Sequence, residues 1–551
     1  MDDKSDDYAV HVEALSKDER DTMVLAKLGK KSVLRRRFGI VSMLGFTCTI
    51  LVTWEGSLLW VDPSFTTEMA RAIDESRSLF TTGLTNGGSA GLVYGYLFVW
   101  AGTLAVFTTM AELASMQSTH LGGPVSLGLH DGTGFESEVH ELYRWIVIGA
   151  WQGILAGCAF LTATMIEALA VLNHPGYSPQ QWHGTLIFWA VMLLAVLLNA
   201  FANPMIPKLE IFILVLHLLG FFACLIPLLA LAPVKASPHE VFTVFNNGGA
   251  WPTQGLSFFV GIIGSVFAMF GCDSAVHMAE EVRNADVVVP WSMVGTTLLN
   301  GTLGFAMIIA VLFVTLDIDS ALESPTGQLG MPFMDIFLTN TSRSGANGMI
   351  ILIILIVGVG VVAFVATTSR LIWAFARDRA FPGWRHVSKV QPNSTVPLHA
   401  VVITTGVSVL IGLINLGSTT AFNDVVSLGV SGLYASYIIT EALLLYRRVT
   451  GAILSLKDAK DGVGEKGQLV WGPFHVPGVF GTAVNIIAVL FGVVIFFFSC
   501  WPVSSTVEPA TMNYSSLMAG AVVVAAVVYY VIWARDTYEG PQVEEMDTGS
   551  S

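Results

Sequence analysis

Apolar stretches of bilayer length recur along this whole chain, and they decide what it can fold into. Twelve runs stand out: Phe38–Trp60, Gly91–Ala111, Arg144–Ile166, Gly184–Phe201, Ile211–Leu231, Gly255–Met278, Trp291–Leu316, Gly345–Ala374, Val396–Leu416, Phe422–Tyr446, Phe480–Cys500 and Met512–Ala534. Most reach the roughly 18 apolar residues that a transmembrane helix needs. Lipid offers the backbone no hydrogen-bond partner, so each run must close its own bonds as a helix. Soluble core helices do not sustain such lengths twelve times. An all-α membrane protein with twelve transmembrane helices is therefore expected, in keeping with 53% hydrophobic and 12% charged residues.

Lys and Arg set the expected orientation. Nine precede the first run, and further basic clusters follow runs 8 and 10 (Arg377, Arg379, Arg385, Lys389; Arg447, Arg448, Lys457, Lys460, Lys466). The opposite loops hold only Arg71, Arg77, Lys235 and Arg343. Both termini are thus expected in the cytoplasm. The sequons Asn340-Thr-Ser and Asn513-Tyr-Ser then face outward, where glycosylation is possible, with Asn513 close to the membrane. The net charge of −14 gathers in the two tails and in residues 61–82, so it describes solvated segments. The polar start of the chain is no cleavable signal peptide. No basic patch with interleaved aromatics points to nucleic acid. Cys48, Cys158, Cys224, Cys272 and Cys500 all fall in apolar runs and read as small core residues.

Two runs carry matched anomalies. Run 1 contains Thr53-Trp-Glu-Gly-Ser57, and run 6, five runs later, contains Phe270-Gly-Cys-Asp-Ser274. Each joins an acid to glycine and a hydroxyl residue. A carboxylate at that depth is costly and marks a site by default. Matched interruptions in equivalent runs point to an inverted repeat with a substrate site at mid-membrane. They predict breaks at Gly56 and Gly271, with half-helix N–H groups and carbonyls turned to a ligand.

The chain resembles the amino acid–polyamine–organocation transporters, and within them the fungal amino acid/choline permeases. The matching residues are Ser42-Met-Leu-Gly-Phe, Thr53-Trp-Glu-Gly, Gly83-Leu-Thr-Asn-Gly-Gly-Ser-Ala-Gly91, Met110-Ala-Glu-Leu-Ala-Ser-Met116, Asp273-Ser-Ala-Val-His-Met-Ala-Glu-Glu281, Ser369-Arg-Leu-Ile-Trp-Ala-Phe-Ala-Arg-Asp378 and Pro397. The resemblance spans roughly Phe38 to Trp533 and implies a five-plus-five inverted repeat with spans 1 and 6 unwound. The implied organisation is a cytoplasmic tail at 1–37, a ten-helix core at 38–446, a cytoplasmic loop at 447–479, two added helices at 480–534 and a tail at 535–551. Two stretches depart from the family pattern: the acidic insert within 61–82 and the shortened, aromatic-poor segment 124–140.

Candidate site residues follow. Glu55 and Asp273 can counter an ammonium, carry a proton, or cap freed N–H groups. Trp54, Phe267 and Phe270 can face a quaternary ammonium, at about 0.5–2 kcal/mol per ring, or simply pack. Tyr434 and Tyr437 are further walls. Gly56, Gly271 and Ser274 complete the substrate set. His217 can shuttle a proton. Thr367 and Thr368 can ligate Na⁺ or bond back to their own helix. Glu280, Glu281, Arg370 and Arg377 can form an inner gate or a solvated helix end. Glu112 and Glu441, placed near run ends, read as snorkelling or paired acids.

No P-loop, C-x-x-C or metal-ligand spacing is present, so neither an enzyme nor a bound cofactor is expected. The sequence reading is a secondary-active carrier in the plasma membrane, or less simply an organelle membrane. It takes a small amino acid or a choline-like amine with H⁺, or Na⁺, as coupling ion. A choline-specific carrier is the main alternative, and a non-transporting nutrient sensor a remote one.

Overall fold

The computed structural model of the protein describes residues 33–59, 79–117, 134–392, 394–417, 419–460, 469–507 and 512–538. The 61–82 insert and the 124–140 segment fall largely outside these residues. The apolar runs form helices α1 (Ile40–Leu51), α2 (Thr53–Leu59), α3 (Leu79–Gln117), α4 (Gly134–Asn173), α5 (Gln181–Phe201), α6 (Ile206–Leu231), α7 (Gln254–Gly261), α8 (Ile263–Phe267), α9 (Ser274–His277), α10 (Ala285–Val314), α11 (Pro332–Asn340), α12 (Arg343–Arg377), α13 (Leu398–Gly417), α14 (Thr419–Val449), α15 (Gly478–Ser499) and α16 (Ser515–Ile532). Among the described residues, eleven helical segments are long and apolar enough to cross a membrane. The sixth run differs. It is divided among α7, α8 and α9, and its longest apolar stretch is Gln254–Phe267.

The bend in the first run lies one step earlier than Thr53–Ser57. Val52 takes left-handed angles, φ 45° and ψ 46°, between α1 and α2. Thr53 to Ser57 are helical, and the Gly56 N–H donates to the Val52 carbonyl at 2.6 Å. Gly56 is therefore not the breaking residue. A β-branched residue is disfavoured at positive φ, so neighbours must hold the bend. Asn300 of α10 does part of this, its amide donating to the Cys48 carbonyl at 3.1 Å. In the sixth run Gly271 has φ 98°, an angle that glycine adopts at no steric cost. The Gly83–Gly91 stretch is helical except at Gly88, where φ is 69°.

Close packing fixes α10 against α3. The Tyr96 hydroxyl donates to the Gly301 carbonyl at 2.9 Å, and the Trp100 indole donates to the Thr297 carbonyl at 2.9 Å. These aromatic side chains occupy the space that a side chain at Gly301 or Gly304 would need. Small residues at helix contacts let backbones approach without lipid between them. Outside the spans, β1 (Ile453–Leu454) pairs in parallel with β2 (Leu469–Val470). The side-chain amide of Asn340 donates to the Ile336 carbonyl at 2.9 Å and that of Asn513 to the Ser499 carbonyl at 2.8 Å, so both sequon amides are engaged within the fold. All five cysteines are free, and three are buried.

Gly301→Val forces a branched side chain onto the Trp100 ring. Overpacking of this kind costs about 1–3 kcal/mol. Purified Gly301→Val protein should unfold at a lower temperature than the parent in a thermal-shift assay, while Gly348→Val, in open space on α12, should not.

Candidate functional site

The bend at Val52 turns the first turn of α2 toward α6. Trp54 and Glu55 are both fully buried there and meet one residue, His217. The Trp54 indole N–H points to His217 Nδ1 at 3.1 Å, and Glu55 Oε1 lies 2.7 Å from the same nitrogen. An indole N–H can only donate and needs a bare Nδ1, whereas a carboxylate needs Nδ1–H. One nitrogen cannot satisfy both. Glu55 Oε2 and His217 Nε2 have no hydrogen-bond partner among the described residues. Two turns earlier on α6, Glu210 is fully buried, and neither of its carboxylate oxygens receives a hydrogen bond among the described residues, the nearby Thr49 hydroxyl donating to the Gly45 carbonyl at 2.7 Å.

The sixth run supplies the opposite wall. After Gly271, the Asp273 carboxylate is gripped by two other helices. The Trp151 indole of α4 donates to Oδ2 at 3.2 Å, and the Tyr437 hydroxyl of α14 donates to Oδ1 at 2.6 Å. His277 Nε2 stands 3.4 Å from Oδ2. Asp273 makes no capping bond to α9, so the expected capping role does not hold. With α9 only one turn long, its N-terminus is also no developed dipole for a carboxylate. Phe267 and Phe270 contact each other edge to face at 5.7 Å. Ser274 is buried, and its hydroxyl has no partner among the described residues. Tyr437 thus enters through its hydroxyl rather than as an aromatic wall, and Trp54 faces α6 rather than the sixth run.

Thr367 and Thr368 bond back to the Ala363 and Phe364 carbonyls at 3.0 and 2.9 Å. The four gate candidates pair as two sets. Arg370 Nε donates to Glu281 Oε1 at 2.8 Å, and Arg377 Nη1 to Glu280 Oε2 at 2.9 Å. Arg370 also reaches Asn203 Oδ1 at 3.1 Å. Glu281 and Arg370 are about 2% exposed, which excludes a solvated helix end. The chain before α1 closes over them. Arg37 and Phe38 donate backbone N–H groups to the Glu281 carbonyl at 2.8 and 3.0 Å, and Arg283 N donates to Phe38 O at 2.9 Å. Burial lowers the Arg37 guanidinium from its ordinary value, and Glu281 opposes that shift. Glu112 is paired, its Oε2 with Arg448 and its Oε1 with the Val476 N–H at 2.6 Å.

Trp151 and Asn300 were not singled out in the sequence. Their only signal is a polar atom inside an apolar run, shared with many structural residues. Arg370→Ala strands Glu281 as an unpaired buried charge, a loss of about 3–5 kcal/mol. The double change Arg370→Met with Glu281→Leu should unfold at a higher temperature than Arg370→Ala, as read by thermal unfolding in detergent.

The chain is similar in sequence to known membrane carriers. The choline transporter of Saccharomyces cerevisiae is 28% identical over 535 residues, covering 95% of this chain and 86% of its own. The amino-acid permease BAT1 of Arabidopsis thaliana is 26% identical, over 94% and 95% of the two chains. The swainsonine transporter swnT of Arthroderma benhamiae is 27% identical, over 83% and 86%. The family model described as amino acid permease matches residues 68–526, and the chain belongs to that family of membrane transporters.

Proposed function

We propose that the protein is a proton-coupled, secondary-active carrier of a small amine or amino acid, working by alternating access in the plasma membrane. The observation that carries this reading is the buried Glu55–His217 pair beside the Val52 bend, with Glu55 Oε2 and His217 Nε2 left without partners. An ionisable pair inside a transmembrane segment is the kind of group that proton relays are built from. The bends at Val52 and Gly271 expose backbone groups where a cargo can meet them. They support a twelve-span, five-plus-five inverted repeat in which α1–α2 and α7–α9 are the equivalent broken spans. Glu281–Arg370 and Glu280–Arg377 then serve as the inner gate, with both termini on their side. Thr367 and Thr368 are the oxygen donors for a Na⁺ reading, and both hydroxyl hydrogens are already spent on α12 carbonyls.

The cargo we favour bears an ammonium group. Glu55 and Glu210 put carboxyl groups into this interior, and no lysine or arginine is bonded to either among the described residues. Choline and γ-aminobutyrate are the two probes that separate a quaternary amine from an amino acid.

Cells lacking their own carriers, expressing this protein, should take up radiolabelled choline, γ-aminobutyrate or a member of a mixed amino-acid panel, faster at acidic external pH. No uptake of any probe overturns the carrier reading, and uptake indifferent to pH overturns proton coupling. His217→Gln should flatten the pH dependence. Asp273→Asn keeps the side chain's shape and one acceptor oxygen while removing the charge, so it should reach the membrane at parental levels and abolish uptake. Normal uptake by that variant would make Asp273 purely structural.

A further inference from the structure

A second carboxyl group lies deep in the protein, away from the bends, and the site above leaves it unused. Glu441 sits on α14 eight residues before its end at Val449, about 12 Å along the axis at 1.5 Å per residue. It is therefore not a snorkelling end residue. It is fully buried, and neither carboxylate oxygen has a hydrogen-bond partner among the described residues. A side chain placed at Gly492 of α15 would stand 3.7 Å from Oε2, so the carboxyl points between α14 and α15.

The surroundings are short of hydrogens. Asn485 of α15 donates its amide to the Glu441 backbone carbonyl at 3.1 Å. That bond fixes which way the amide faces, and it leaves the buried Asn485 Oδ1 without a donor. The two carboxyl oxygens and Asn485 Oδ1 are three buried acceptor atoms that receive no hydrogen bond among the described residues. An ionised carboxylate without partners is far costlier to bury than a neutral acid. One added proton removes the charge and supplies a donor.

Among the described residues, no cation neutralises it instead. Arg448, on the same helix, is held by Glu112 of α3 and by the Val476 carbonyl. Helix α15 carries no ionisable side chain. Among its described side chains, helix α4 contributes Tyr143, Cys158, Glu167 and Arg144, the last paired with Asp378 at 2.8 Å. Helix α13 contributes His399, α16 contributes Tyr529 and Tyr530, and α3 adds Tyr94 and Tyr96. On α14 itself, Tyr446 and Arg447 lie toward the helix end. Tyr434, two turns inward, is within electrostatic reach of Glu441. The Tyr434 ring stands 5.5 Å from Tyr437, whose hydroxyl holds Asp273 at 2.6 Å.

We propose that Glu441 is a proton-binding site, separate from Glu55–His217. It holds a proton in this packing, exchanges it when α14 and α15 part, and passes its charge state to Asp273 through Tyr434 and Tyr437. Loading adds one H⁺ from water to a carboxylate oxygen, and release returns it. The role in transport rests on the carrier reading; the bound proton does not.

The test pairs two measurements on the full chain in lipid vesicles. Infrared spectra at neutral pH should show a protonated-carboxyl C=O band that Glu441→Gln lacks. An unchanged band in that variant overturns the proposal, whether or not any probe is transported. With radiolabelled choline and γ-aminobutyrate, Glu441→Gln should keep exchange of preloaded probe within about twofold of the parent. It should lose net uptake by about tenfold, because a neutral side chain cannot give up its proton to reset the carrier. Equal loss of both, or loss of neither, overturns the coupling role. Should Glu441→Gln fail to fold, Glu441→Asp keeps a titratable group and should displace the pH optimum of uptake; an unmoved optimum overturns the proposal. A parent that transports neither probe removes the carrier reading instead, and the infrared result still decides the bound proton.

Discussion

Every carboxyl group carried below the membrane surface must find a hydrogen-bond donor, a cation or a proton, and this constraint organises the interior. Asp273 shows the first solution. Its oxygens take N–H and O–H donors from Trp151 on α4 and Tyr437 on α14, so one side chain ties the bend at Gly271 to two other helices. Glu281 shows the second, in its buried pair with Arg370. Glu55 stands between solutions, because its one partner nitrogen is also claimed by Trp54. The three groups mark the two bends and the closed end of the bundle.

The bends answer the same constraint for the backbone. A helix that turns in lipid frees peptide groups that water cannot reach. At Val52 the Cys48 carbonyl still accepts from Val52 N at 3.2 Å and gains the Asn300 amide at 3.1 Å. At Gly271 the absent side chain matters as much: a Cβ there would come within 3.0 Å of Ile50, so the two bends press against each other. Close contact between the bends means that movement at one must be felt at the other.

The membrane helices were legible because length and hydropathy are local properties of a run. Gly271 was legible because glycine beside a buried acid has few other uses. Opposite charges near the ends of two runs showed that Glu280, Glu281, Arg370 and Arg377 could pair, but not that Glu281 meets Arg370 and Glu280 meets Arg377. Helix rotation was not legible. It sends Trp54 to His217 rather than to the sixth run, brings Trp151 to Asp273, and turns Glu441 inward. Glu441 was misread for a further reason. Run 10 was drawn only to Tyr446, whereas α14 extends to Val449, which moves the acid away from the helix end. The bend itself was misplaced because Gly56 looked like the breaking residue. The structure places the break at Val52, whose strained angles no propensity would predict.

The central claim is that cargo and proton cross together. Purified protein in vesicles loaded with a pH-sensitive dye reads both at once. When choline or γ-aminobutyrate is added outside, the account predicts acidification of the lumen in step with uptake, absent from vesicles without protein. Uptake with no change in luminal pH would contradict it.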